Sequence, residues 1–262
     1  MTHLTDGIRI LARYHFHHQK WVQETSQVVS EVAVTLFVNG REYATVALTP
    51  IDLRDWVLGF LAGEGAIESA NAITVFQWNP REGQIWVRIP GFKASRGQNS
   101  RYLGSCCGQS RPGFFNPDGI SPIAESHAVN IRDIQTAFSA LSRWSHAQHS
   151  GGLHAAGLAH GAKLVLARAD VGRHNALDKV YGASLTAPEV KKQPCEVLFT
   201  GRLSAEIIWK VRLMECPVIV SNAAPTTLGI ELAERFGITA IGFARNQELS
   251  VFTHPERLVK EL

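Results

Sequence analysis

The chain has 262 residues, of which 45% are hydrophobic and 19% charged; these are the proportions of a globular protein and exclude a disordered one. Its formal net charge of +3 is too small to indicate nucleic-acid binding, and its four cysteines are too few for a disulfide framework. Because no secretory leader and no run of about 18 apolar residues is found, we expect a cytoplasmic protein with reduced thiols and no nucleic-acid or membrane partner.

The first half of the chain is rich in predicted strands. Residues 27–48 predict a β-hairpin, because apolar residues alternate with polar ones and Asn39-Gly40 is a favoured two-residue turn. An apolar stripe at helical spacing predicts a helix over 52–62. Strand alternation returns over residues 72–90, which completes a β-rich segment.

Residues 91–121 predict a long, mobile loop, because they contain six glycines and no sustained period. At its centre Cys106 and Cys107 are adjacent, in a basic stretch without Asp or Glu. Neighbouring Cα atoms lie about 3.8 Å apart, below the range of about 4.4–6.8 Å usual for a disulfide, and no second ligand pair follows that would suit a metal. The remaining possibility is nucleophilic or carrier chemistry at one cysteine thiolate. Positively charged surroundings lower the pKa of a thiol and so favour its thiolate form.

The second half alternates helices with short apolar runs. Four of these runs predict buried strands: residues 163–169, 195–200, 217–221 and 239–244. Such alternation predicts an α/β fold with a mostly parallel sheet and helices on both faces. We therefore expect two parts: a smaller β-rich N-terminal part, residues 1–125, which ends in the loop at 91–121, and an α/β domain, residues 126–262.

Polar residues follow each predicted strand of the second part. Ligands of α/β sheets bind at the carboxyl ends of the strands, so these residues predict one rim rich in hydrogen-bond donors. The candidates are Arg173, His174, Asn175, Arg202, Thr226 and Arg245. Each alone could cap a helix or form a surface pair, but their shared position favours a binding site. Arginines beside helix N-termini indicate a phosphorylated, anionic ligand.

Several motifs resemble those of the FdhD/NarQ family, the formate dehydrogenase accessory sulfurtransferases. They include SCCGQSR at 105–111, DVGRHNALDKVYG at 170–182 and GFARNQELSVFTHPERL at 242–258. The resemblance implies a sulfur carrier that receives persulfide sulfur from a cysteine desulfurase. It implies transfer of that sulfur to the molybdenum cofactor, as bis(molybdopterin guanine dinucleotide), before the cofactor enters formate dehydrogenase. It also implies a homodimer, and a cofactor site that includes Phe243, Ala244, Arg245, Asn246, Gln247 and Glu248.

The cysteine loop departs from the family pattern. Many members have Cys-x-x-Cys, whereas this chain has Cys106-Cys107 and then Gln109. Counting from the first cysteine assigns the persulfide to Cys106, and aligning on Cys-Gly assigns it to Cys107; we favour Cys106. A mechanism that needs two spaced thiols does not fit this loop.

Two alternatives remain. One is a chaperone that binds the molybdenum cofactor without sulfur chemistry. The other follows from a resemblance of the C-terminal part to the cytidine deaminase fold, whose zinc enzymes use His-x-Glu and Pro-Cys-x-x-Cys. Here the residues after His154 lack the glutamate, and the residues after Pro194-Cys195 lack the second cysteine, so the deaminase is the weaker alternative and we expect no metal. We expect His154 to be the first residue of a helix beside the pocket. We expect Cys195 and Cys216 to be buried and to pack in the core.

Overall fold

The structure is a computed structural model that describes residues 7–92, 101–103, 121–123, 128–147, 151–191, 193–245 and 247–259. The helices in these ranges are α1 Leu53–Gly63, α2 Ile131–Ala147, α3 Arg173–Thr186, α4 Ala205–Leu213 and α5 Thr227–Phe236. The strands of the first part are β1 Ile8–His17, β2 Lys20–Val29, β3 Val32–Val38, β4 Arg41–Leu48, β5 Val75–Asn79, β6 Gln84–Arg88 and β7 Arg101–Leu103. Those that follow are β8 Val129–Asn130, β9 His154–His160, β10 Lys163–Asp170, β11 Glu196–Phe199, β12 Val218–Ser221, β13 Thr239–Arg245, β14 Glu248–Val251 and β15 Leu258–Val259. No helix in the described ranges is long and apolar enough to cross a bilayer.

The N-terminal part contains a five-stranded sheet with the order β5-β6-β3-β4-β7. Its predicted β3–β4 hairpin is confirmed, and Asn39 and Gly40 both have the positive φ that a type I′ turn requires. Val34 and Leu36 point to one face and are fully buried in a core shared with α1. Strand β7 lies inside the predicted loop of 91–121, which is therefore interrupted by a short strand.

The C-terminal part is built on a six-stranded sheet with the order β10-β9-β11-β12-β13-β14. Two of its pairings, β11–β12 and β12–β13, are parallel and the other three are antiparallel. The expected mostly parallel sheet is therefore wrong: the sheet is mixed, because a hairpin closes each edge. His154 begins strand β9 and does not open a helix, so that expectation is also wrong. The likeness to cytidine deaminases stays a prediction.

Helices cover both faces of this sheet, as predicted. On one face Ile134, Phe138 and Leu141 of α2 pack against Leu198 and Val220. On the other face the strands share a larger core with α3, α4, α5 and the N-terminal part. The sheet is therefore buried on both sides, which explains its continuous apolar strands.

The two predicted parts share one core. Helix α1 crosses α3 where Gly59 faces Gly182, and a Cβ at either position would collide with backbone of the opposite helix. Asp170 and Lys179 form a fully buried ion pair of 2.6 Å, and Asp170 also accepts a hydrogen bond of 3.0 Å from the Thr49 amide after β4. The predicted boundary near residue 125 falls outside the described residues.

Candidate functional site

The ends of five strands meet along one edge of the C-terminal sheet. Parallel pairing brings together the carboxyl ends of β11, β12 and β13, and antiparallel pairing adds the end of β10 and the start of β9. An open cleft of about 650 Å³ lies at this edge. Its lining residues are Ser142, Ser145, His146, Gly151, Leu153, His154, Thr200 and Asn222.

The carboxyl ends of β12 and β13 are hydrogen-bonded to the loops that follow β11 and β12. The Ser221 hydroxyl donates to the Gly201 carbonyl over 2.7 Å, and the Phe243 amide donates to the Ala223 carbonyl over 3.3 Å. Because Ser221 is fully buried, the first of these bonds is shielded from water. The rim of the cleft is therefore fixed relative to the sheet.

Three arginines lie at successive strand ends. Arg173 is the first residue of α3, Arg202 follows β11, and Arg245 is the last residue of β13. The Arg173 side chain lies against Gly201, and its buried Nε has no hydrogen-bond partner among the described residues. Arg202 and Arg245 are exposed, and none of the three pairs with a carboxylate of a described residue. Uncompensated guanidinium groups at one edge suit an anionic ligand.

His154 adds a neutral group to the cleft. Its Nδ1 lies 3.5 Å from Oγ1 of Thr200, which accepts a hydrogen bond of 2.8 Å from the Ala155 amide. Burial, together with the charge of Arg173, lowers the pKa of His154 below its ordinary value. The imidazole is therefore uncharged at neutral pH and can both donate and accept a hydrogen bond.

His174 belongs to a polar cluster between α3 and α4. Its Nε2 lies 3.2 Å from Glu206, whose carboxylate is 3.7 Å from Nζ of Lys210. Lys210 in turn donates to Asp178 over 2.6 Å. Burial raises the pKa of Asp178 to about 6 in spite of this ammonium group. His174 is thus positioned by Glu206 at the edge of the rim.

Two of the predicted ligand residues are engaged within the chain. Asn175 is buried, and its Nδ2 donates to the Ala47 carbonyl over 2.9 Å and to Asp170 over 3.1 Å. Thr226 caps α5 by accepting a hydrogen bond of 3.1 Å from the Gly229 amide. Asn175 therefore links the two parts of the chain, and a contact of either residue with a ligand stays a prediction.

The predicted segment 243–248 forms the end of β13 and the turn into β14. Gln135 on α2 donates to the Gln247 carbonyl over 2.6 Å and holds this turn against the sheet. Ala244 is buried, and Asn246 lies outside the described residues. The exposed members are Phe243, Arg245, Gln247 and Glu248.

The geometry separates the residues that a zinc deaminase would need to combine. Cys195 precedes β11, whereas His154 lies near its other end, which is roughly 13 Å of strand away. The Cys195 sulfur is instead 3.0 Å from that of Cys216, and both residues are buried, as predicted. Among the described residues, no three His, Cys, Asp or Glu side chains come together to hold a metal.

Cys106 and Cys107 lie outside the described residues, but the chain on either side of them is placed. Strand β7 pairs in parallel with β4 and ends at Leu103, opposite Val46. The chain continues from β4 to Thr49, which bonds to Asp170 beside the start of α3. On the other side, Ser121 accepts a hydrogen bond of 2.9 Å from Arg212 of α4. The cysteine segment therefore begins on the N-terminal sheet and ends on the C-terminal domain.

The α2 side of the cleft was not predicted from the sequence. Ser142, Ser145 and His146 line it. They continue the spacing of the buried residues Phe138 and Leu141, so the apolar face of α2 becomes polar in its last turns. A buried helical stripe that turns polar near its end is the signal that would have identified them.

Comparisons with known proteins agree with this architecture. The model of the FdhD/NarQ family matches residues 29–259. The sulfur carrier protein FdhD of Geobacillus kaustophilus is 37% identical over 256 residues, covering 96% of both chains, and that of Bacillus licheniformis is 35% identical, covering 94% of this chain and 95% of its own. The solved structure of a formate dehydrogenase accessory protein from Desulfotalea psychrophila superposes with a TM-score of 0.79 at 24% identity, over 97% of this chain and all of that one, and so has the same fold. The fold, the sequence identity and the ordered motifs together establish that the chain belongs to the FdhD/NarQ family.

Proposed function

We propose that the chain is a cytoplasmic sulfur carrier that passes persulfide sulfur from a cysteine desulfurase to the molybdenum cofactor, bis(molybdopterin guanine dinucleotide), before that cofactor enters formate dehydrogenase. The observation that carries the proposal is the set of three arginines, Arg173, Arg202 and Arg245, which lie at successive strand ends of the sheet edge that holds the open cleft and pair with no carboxylate of a described residue. Each guanine dinucleotide arm of the cofactor carries a pyrophosphate, which is the anion that such a rim would bind.

The position of the cysteine segment supports the carrier role. The described chain stops at Leu103, three residues before Cys106, and three residues reach at most about 11 Å. Leu103 lies opposite Val46, and the neighbouring Ala47 carbonyl is bonded to Asn175 of α3. The first cysteine is therefore tethered within about 11 Å of a strand whose neighbour contacts α3, the helix that begins at Arg173.

The loading step is a thiol exchange. The thiolate of Cys106 attacks the outer sulfur of the desulfurase persulfide, forms a new S–S bond and releases the desulfurase thiolate. Delivery of that sulfur as sulfide breaks the new bond and needs two electrons, which a second thiol supplies by forming a disulfide with the carrier cysteine. Because neighbouring cysteines rarely form a disulfide, that second thiol is expected to be a small-molecule thiol rather than Cys107.

Intact-mass measurement after incubation with a cysteine desulfurase and cysteine tests the proposal. We expect a gain of about 32 Da that a reductant removes. The Cys106→Ala variant should lose the gain and Cys107→Ala should keep it; the reverse result would assign the persulfide to Cys107. Cys195→Ala is the matched control, because it removes a buried thiol and should load normally.

The alternative, a chaperone that only binds the cofactor, is favoured by the same cleft, which needs no cysteine. It predicts no sulfur gain in the wild-type protein with an active desulfurase, and unchanged cofactor insertion when both loop cysteines are replaced by alanine. Loss of insertion in that double variant, with guanine-nucleotide binding retained, would exclude the chaperone.

A further inference from the structure

Two of the four cysteines lie in the C-terminal sheet and take no part in the proposed sulfur transfer. Cys195 directly precedes β11, and Cys216 lies two residues before β12. Their Sγ atoms are 3.0 Å apart, and the two residues are 4% and 0% exposed. The core of the domain therefore contains a close thiol–thiol contact.

The strand register places the two backbones at the distance that a disulfide spans. Strands β11 and β12 are parallel, and their first pair is Glu196↔Val218. Cys195 lies one residue before that pair and Cys216 two residues before it. A lateral strand spacing of about 4.8 Å and an offset of one residue, about 3.3 Å, give a Cα–Cα distance of roughly 6 Å. Disulfides join Cα atoms about 4.4–6.8 Å apart, so the backbone already suits a bond between the two sulfurs.

The turn that carries Cys216 is held in place by its neighbours. The Cys216 amide donates to the Val211 carbonyl over 3.3 Å, and its Sγ donates to the Met214 carbonyl over 3.7 Å. The hydroxyl of Tyr181 on α3 donates to the Leu213 carbonyl over 3.2 Å. These bonds fix the end of α4 and the start of β12, so the two thiols are kept in contact.

We propose that Cys195 and Cys216 are a redox pair, which a peroxide oxidises to a disulfide inside the folded protein. Closing the bond brings the sulfurs nearer by only about 1 Å, because a disulfide is about 2.05 Å long. A peroxide is the class of oxidant that suits the site, since it is little larger than water. The proposal is independent of sulfur transfer.

The oxidation has two steps. The thiolate of Cys195, the less buried residue, attacks one oxygen of the peroxide, forms a sulfenic acid and releases hydroxide. The thiolate of Cys216 then attacks the Cys195 sulfur, so that an S–S bond forms, the S–O bond breaks and a second hydroxide leaves. Two electrons pass from the thiols to hydrogen peroxide, and the two thiol protons convert both hydroxides to water.

The position of the bond determines what it constrains. It would close residues 195–216 into a ring that contains β11, Arg202 and helix α4. It would join the amino ends of β11 and β12, whereas the candidate site lies at their carboxyl ends, roughly 13 Å of strand away. We therefore expect the disulfide to stabilise the domain by restricting the unfolded chain, and to leave the strand-end site in its present arrangement.

The Cys106→Ala/Cys107→Ala double variant tests the pair, because Cys195 and Cys216 are then its only thiols. The folded protein is treated with hydrogen peroxide, the peroxide is removed with catalase, and the chain is denatured and alkylated with iodoacetamide. We expect two alkyl groups on the untreated protein, none on the oxidised protein, and two again after reduction. Peptide mapping should then find Cys195 joined to Cys216.

Thermal unfolding supplies a second measurement. Oxidation should raise the melting midpoint of the double variant by about 6–12 °C, as expected for a disulfide that closes a loop of this size. Cys216→Ser in the same background is the matched control; it keeps Cys195 but cannot form the bond, so peroxide should not raise its midpoint.

Three outcomes would overturn the proposal. The first is an oxidised double variant that still takes up two alkyl groups. The second is conversion of either cysteine to a sulfinic acid without a cross-link, as expected if the two thiols were only small apolar packing groups. The third is a midpoint that falls on oxidation, or that rises equally in the Cys216→Ser control.

Discussion

Asn175 and Arg202 both belong to the predicted ligand rim. The structure predicts that mutation of Asn175 affects stability, whereas mutation of Arg202 affects ligand affinity. The Asn175 side chain is buried and bonded to Ala47 and Asp170, so it contributes to folding. Arg202 is exposed at the strand ends and makes no ion pair with a described residue, so it is available to a ligand. Asn175→Ala should therefore reduce stability, and Arg202→Ala should reduce ligand affinity.

The size of the stability effect follows from the hydrogen bonds. Removing the Asn175 amide leaves the Ala47 carbonyl without its side-chain donor and removes one of several partners of Asp170, which keeps Lys179 and the Gly172 amide. Loss of a hydrogen bond to a buried acceptor destabilises a protein by about 1–3 kcal/mol. We therefore expect the free energy of unfolding to fall by about 2–3 kcal/mol. For a chain of this size that lowers the melting midpoint by about 4–12 °C.

Both variants are measured in the same two assays. Thermal unfolding gives the melting midpoint, and isothermal titration with guanosine diphosphate gives the affinity for a guanine pyrophosphate. Asn175→Ala should bind within about twofold of wild type below its melting range, whereas Arg202→Ala should keep its midpoint and lose about tenfold or more in affinity, as expected for one charge-assisted hydrogen bond. If Asn175→Ala keeps its midpoint and loses affinity instead, the reasoning fails. A wild type that does not bind the nucleotide would refute the anion site itself.

Three further predictions concern the interior. Gly182→Ala should destabilise the protein by about 3 kcal/mol or more, because the new Cβ meets backbone of α1, whereas Gly63→Ala on α1, where a Cβ has room, should be neutral or slightly stabilising in urea unfolding. The raised pKa of Asp178, about 6, means that the folded chain holds this proton after the unfolded chain has released it near pH 3.8. Stability should therefore fall by up to about 3 kcal/mol as pH rises from 4 to 6, and Asp178→Asn should remove that slope from the pH dependence of the unfolding free energy. Cys195 and Cys216 should react with a thiol reagent only after denaturation, so rapid labelling of more than two thiols per native chain would contradict their burial.

Local sequence signals predicted the parts of the fold that depend on local chemistry. Asn39-Gly40 specified the β3–β4 turn, because both residues adopt the positive φ that this turn requires. The β1–β2 hairpin was not predicted because its turn is His18-Gln19, which lacks the glycine that marks favoured two-residue turns in a sequence. Strand β9 escaped because its residues are mostly alanine and glycine, which have low strand propensity.

The sequence pattern selected the arginines of the candidate site by their position after a strand. The structure places Arg173, Arg202 and Arg245 at successive strand ends, which converge in any sheet with parallel neighbours, and their contact with a ligand stays a prediction. The same rule selected Asn175, which follows β10 as closely but turns inward to Asp170. Whether a polar residue at a strand end faces a ligand or the interior depends on tertiary packing, which the sequence pattern does not contain.

The glycine crossing of α1 with α3 has a consequence for how ligand binding is sensed. Because the two helices touch backbone to backbone, and Asp170 of β10 and Lys179 of α3 both bond to Thr49 after β4, we expect the two parts of the chain to unfold as one cooperative unit. A ligand bound at the strand ends then slows amide exchange in β3 and β4 as well as in its own sheet, by mass action on shared openings. Occupancy of the proposed ligand site would thereby be transmitted, without any change of shape, to the sheet from which the cysteine segment begins.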